Sequence, residues 1–157
     1  MAIAVGGVGF FFGVQLTMYN NFIVDRLAIE PEALGVVEAL REVPGLLNAA
    51  IIAALAGLAA PFSAGVSLIL MGGGLMAYTS VHSVFALAVW SVVWSIGFHC
   101  WVPLEQTMAL QFSQGNDKGR WLGQLRAVSS LGWLLAIGVC LVMYRFIGYN
   151  GLFVIAG

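Results

Sequence analysis

Glu38, Arg41 and Glu42 stand three and four positions apart, and Pro44 follows them. On a helix this spacing gathers the three charges within an arc of roughly 100°. A helix starting near Leu34 carries Arg41 about 10 Å inward at 1.5 Å per residue. Pro44 has no N–H, so the carbonyl of Leu40 loses its helical partner beside the charges. Such a set could hold a polar solute, pass a proton or act as a gate. If the helix instead starts near Glu42, the same charges sit at a membrane interface, where an arginine reaches water along its own stem.

A second set lies in Gly97-Phe98-His99-Cys100-Trp101-Val102-Pro103-Leu104-Glu105-Gln106. Pro103 frees the carbonyl of His99, which points to a kink there. His99 and Gln106, seven residues apart, share a helix face, and Glu105 points elsewhere. An imidazole at this place could relay a proton or bond a solute; it could equally be a neutral group bonded to a neighbouring helix. Glu105 and Arg126 lie equally far from a turn centred between Gly115 and Asn116, so antiparallel neighbours would bring them to one depth. We expect an ion pair there, structural or gating. Gln15 and Tyr19, one turn apart, could line a cavity, and polar amides also join helices simply by bonding across them.

These residues need elements to hold them, and composition says which kind. The chain has 157 residues, 61% hydrophobic and 8% charged, with a mean hydropathy of +0.99. A soluble domain carries about 25% charged residues, so there is too little charge here for a water-facing surface. Residues 1–24, 43–104 and 127–144 contain no Lys, Arg, Asp or Glu. Crossing a bilayer takes about 20 apolar residues, and in lipid the backbone must satisfy itself, as it does in a helix. The runs are continuous, whereas a membrane barrel alternates. The expectation is therefore an all-α, polytopic membrane protein resident in a cell membrane, with the lipid bilayer as its surroundings.

The hydrophobic segments predict helices at about 1–22, 34–60, 64–79, 84–112 and 121–144, and the start of a sixth at 151–157. Turn residues fill 113–119. Seven residues cannot cross a bilayer, so the sixth helix is expected to continue past Gly157. Met1 opens directly into apolar sequence with no basic stretch, so the first helix reads as a retained span. Lys118, Arg120 and Arg126 outnumber Arg26 and Arg145 by one, which leans the N-terminus towards the cytoplasm.

Other chemistries lack their residues. A net charge of −1 with six Lys and Arg gives no basic surface for nucleic acid. The two Cys and two His are all separated, without zinc spacing, so no metal or other cofactor is expected. Gly7-Val8-Gly9 is not a dinucleotide fingerprint. No nucleophile, base and orienting group align for an intramembrane enzyme. Gly9 and Gly13 form a small-xxx-small pair that lets helices approach closely, and Ala49, Ala53 and Gly57 repeat the rhythm.

The order and spacing of these helices resemble the first half of a major facilitator superfamily transporter. The stretch Leu34-Gly35-Val36-Val37-Glu38-Ala39-Leu40-Arg41-Glu42-Val43-Pro44-Gly45-Leu46-Leu47 looks like the opening of that family's second helix. Asp117-Lys118-Gly119-Arg120-Trp121-Leu122-Gly123-Gln124 looks like the link into its fifth. Between the second and third helices the family carries a charged signature, where this chain has the uncharged Ala59-Ala60-Pro61-Phe62-Ser63-Ala64-Gly65. The resemblance implies twelve helices in two halves, with a C-terminal half beyond this chain, and a small-molecule substrate held between the halves near mid-membrane. The halves rock to expose it alternately. First and fourth helices line the cavity in the family, which favours Gln15, Tyr19 and His99. Many members couple to protons, for which Glu38, Arg41, Glu42 and His99 are the charged or titratable candidates. A different class stays open: a non-transporting subunit or scaffold whose helices pack against a partner.

Overall fold

The computed structural model describes residues 1–55, 57–112 and 117–157, and all of its regular structure is helical. Helix α1 spans Ala2–Phe22 and continues as a π-helical turn, Ile23–Leu27, stopping at Ala28 in the left-handed region. Helix α2 spans Pro31–Leu46, α3 Asn48–Leu55, and α4 Ala60–Met76 with a 3-10 turn at Ala77–Ser80. Helix α5 spans Val84–Phe112 and α6 Lys118–Ala156.

Four stretches are long and apolar enough to cross a membrane: Ala2–Leu27, Ala60–Ser80, Val84–Phe112 and Lys118–Ala156. The expected second span, 34–60, is not among them. Its helix begins earlier, because Pro31 takes the first helical turn, where a missing N–H costs nothing. Helix α2 passes through Pro44 and then breaks at Leu47 (φ −89°, ψ 0°), so two shorter helices replace one. The proline has already removed one backbone bond, and the last turn of α2 is the weaker for it. The expected kink at Pro103 does not divide α5, which stays one helix of 29 residues.

The expected link at Arg145 to Asn150 is instead a single-residue hinge. Gly148 (φ +60°, ψ −165°) folds α6 into limbs at 118–147 and 149–156. Only glycine takes that conformation at little cost. Most of the loop expected at 113–119 lies outside the described residues.

The packing follows the small residues. On α1, a side chain at Gly9 would overlap the Ser129 carbonyl and one at Gly13 would overlap Ala136, so α1 and the first limb of α6 touch backbone to backbone, running parallel. Helices α4 and α5 close antiparallel in the same way at Gly74 and Gly97. Helix α2 runs parallel to α5, with Arg41 beside Ser95 and Gly45 beside His99. The last limb of α6 returns antiparallel along α1 and α4, where Phe153 meets Phe22 and Tyr78 and Gly157 meets Gly72. Helices α1 and α5 cross antiparallel at the centre through aromatic rings: Phe12 and Phe98 lie 4.8 Å apart, Phe11 and Trp94 5.6 Å.

These contacts have an exchange symmetry. Swap α1, α2 with α3, and α4 for α5 and the two limbs of α6. The parallel α2–α5 contact then becomes the parallel contact of α1 with the first α6 limb. The antiparallel α4–α5 contact becomes that of α1 with the last limb. Leu131, Leu134, Leu135, Leu141, Val142 and Phe146 stand outward on α6, a row suited to lipid.

Candidate functional site

The first polar region is built on α2 against α5. The guanidinium of Arg41 bridges the Glu38 carboxylate one turn earlier and lies 3.4 Å from the Glu42 carboxylate. It also sits 5.6 Å above the Trp94 ring, an electrostatic contact between a cation and a π face. The His99 Nε2 stands 3.8 Å from Glu42. Four sequence candidates, Glu38, Arg41, Glu42 and His99, are thus brought into one cluster. The arc predicted from helical spacing held, and α5 supplied the histidine because Gly45 leaves room for its ring.

Behind the cluster lies a hydrogen-bonded floor that the sequence reading missed. The Tyr78 and Ser91 hydroxyls bond at 2.7 Å, and the Trp94 indole donates to the Tyr78 oxygen at 2.9 Å. Ser95 donates to the Arg41 carbonyl. That bond ties α2 to α5 within one turn of Pro44. Ser91 and Ser95 are both buried, four residues apart in an otherwise apolar stretch. That polar i, i+4 pair was the signal available in the sequence.

Gln15 and Tyr19 do not line an open cavity; both are buried, at 1% and 4% exposure. Tyr19 packs its ring 5.9 Å from Tyr78, with its hydroxyl near Glu38 and Ser91. The Gln15 amide nitrogen and the Tyr19 hydroxyl have no hydrogen-bond partner.

The second region is a cleft of about 380 Å³ between α1, α5 and the first limb of α6. Phe12, Phe98, Trp101 and Trp133 form its walls, and Glu105, Gln106, Arg126 and Ser129 bring polar groups to it. Glu105 and Arg126 both line this cleft. Yet the ion pairs among the described residues all lie in the α2–α5 cluster, and none joins these two. Glu105 also does not point away from Gln106: both reach the cleft, which is wider than one helical row. His99, which shares the row of Gln106, meets α2 instead, because α2 flanks the upper part of α5 and α6 the lower. The two regions adjoin at Phe98, which lines the cleft and whose ring lies 5.1 Å from His99.

A third contact closes the other end of the bundle. The Tyr149 hydroxyl, just past the Gly148 hinge, donates to the Asp25 carboxylate in the π-helical turn of α1. No group of His, Cys, Asp and Glu suited to a metal ion occurs among the described residues. No protein-family model, curated protein or solved structure matches the chain.

Proposed function

We propose that this chain is one half of a secondary active transporter in a cell membrane, moving a small solute by alternating access. The exchange symmetry of its helix packing is the observation that carries this reading. Two inverted three-segment units meeting around crossed central helices are the plan of each half of a major facilitator superfamily transporter, with substrate held between halves. On this reading α2 with α3 acts as the second span, the α6 limbs act as the fifth and sixth, and the N-terminus is cytoplasmic.

The charges supply the second support. Glu42 is 61% exposed along its side chain, and Arg126 and Gln106 are exposed on the bundle surface. A charge facing lipid at mid-membrane costs about 3 kcal/mol or more. These groups need water or protein against them, so the face bearing α2, α5 and the cleft is the one a second half covers. A second, similar half supplies that cover in this proposal. An imidazole can carry a proton, and His99 faces the Glu42 carboxylate while Arg41 holds the neighbouring acids. Arg41, Glu38, Glu42 and His99 thus form the coupling site, and the cleft takes the solute.

The test is flux by the full-length protein in liposomes, screened with mixed small solutes under an imposed pH gradient. Solute uptake that collapses with the gradient is the expected result. Absence of flux for every solute, from protein shown to be folded, overturns transport and favours a membrane scaffold.

A further inference from the structure

We propose that the cleft between α1, α5 and α6 binds a zwitterionic small solute with an apolar or aromatic body, an assignment that rests on the transport reading and specifies its substrate class. Glu105 and Arg126 carry opposite charges into one cleft without pairing with each other. Glu105 is half-buried and Arg126 exposed at the edge of the cleft, so neither needs the other to stay charged. Left apart, they form two poles of a receptor. A ligand carboxylate on the Arg126 guanidinium gains paired N–H donors, and a ligand ammonium on Glu105 gains a charge-assisted bond.

A second observation is independent of the charges. Trp101 is 2% exposed and lines the same cleft, and its indole N–H is buried without an acceptor. That nitrogen has essentially no exposed surface, so a ligand in the cleft meets Trp101 through its ring rather than through its N–H. The rest of the wall sets the body of the ligand. Phe12, Phe98 and Trp133 offer ring faces, and about 380 Å³ lies in the range of small-molecule sites. A pure anion would leave Glu105 uncompensated, and a pure cation would leave Arg126 so; a zwitterion matches both.

Three probes with one aromatic body separate the contributions: phenylalanine carries both charges, 3-phenylpropionate only the carboxylate, and phenethylamine only the ammonium. Binding to the full-length protein in nanodiscs is read by tryptophan fluorescence and calorimetry. Phenylalanine should bind at least about tenfold more tightly than either singly charged probe. Glu105→Gln should erase its advantage over 3-phenylpropionate, and Arg126→Gln its advantage over phenethylamine, in protein whose thermal unfolding is unchanged. Equal binding of all three probes, or of none, overturns the assignment, and so does a preference for phenylalanine that survives both substitutions. The flux assay is read separately. Flux of other solutes unaffected by both substitutions sinks this assignment and leaves the transporter standing. Selective phenylalanine binding without any flux keeps the assignment and sinks the transporter.

Discussion

The two polar regions on the open face handle charge in opposite ways. In the α2–α5 cluster, Arg41 is bound by Glu38, Glu42 and the face of Trp94, and His99 closes on Glu42. In the cleft, Glu105 and Arg126 approach the same space and are not joined. Both regions draw on α5, and what differs is the partner helix. Helix α2 presents its acids and its base on one face of one helix, so they find each other within a turn. Glu105 and Arg126 come from different helices and share a cleft lined by aromatic rings. Local spacing makes pairs; tertiary packing is free to keep charges apart. We read the first region as a device that is complete in itself and the second as one completed by a ligand.

Substitutions can break that contrast. Arg41→Ala should have the largest effect, because it leaves Glu38 and Glu42 uncompensated one turn apart and empties the space over Trp94. We expect about 2–4 kcal/mol of stability to be lost, less than for a fully buried pair because the side chains are partly exposed, together with loss of flux. Thermal unfolding in detergent, alongside uptake, measures both. A variant of unchanged stability would show that the cluster is not self-sufficient. Next is Tyr78→Phe, which removes the hydroxyl linking Ser91 and Trp94. A cost of about 1–3 kcal/mol is expected, since both hydrogen bonds are lost and the Trp94 donor is left unmade. His99→Gln should change stability by no more than about 0.5 kcal/mol, since Glu42 is largely exposed, while freeing uptake from the pH gradient. Uptake that still follows the gradient would remove His99 from coupling. Smallest of all should be the coupling energy of Glu105 and Arg126 in a double-mutant cycle without ligand. A value under about 0.5 kcal/mol is expected, and 1 kcal/mol or more would mean that the pair closes and the contrast fails.

Much of the helical plan could be read in advance, for a physical reason. Apolar runs must be helical in lipid, so the helix at 84–112 came out at its expected limits and α1 within a residue or two. Charge spacing within α2 was legible because it depends only on the helical repeat. What escaped depends on neighbours. Pro44 marks a weakened helix in 34–60 but not the residue at which it breaks, and the chain yields three residues later, at Leu47. Gly148 is one glycine among 20, and only the return of the chain onto α1 and α4 distinguishes it. The Tyr78, Ser91 and Trp94 bonds join the turn after α4 to α5, so the Ser91 and Ser95 pair marks a polar face on α5 but not the partner it meets. Glu105 and Gln106 lie about 100° apart on α5, and only the width of the cleft brings both into it.

The hinge at Gly148 also bears on topology. Unbroken, the 39 residues of α6 would make a rod of about 58 Å, nearly twice the roughly 30 Å of a hydrocarbon core. A rod of that length would cross once and push its end into water on the far side. One glycine reverses the chain instead and sends its last residues back into the apolar layer beside α4. The direction in which the chain runs at Gly157 is therefore set by the backbone angles of a single residue.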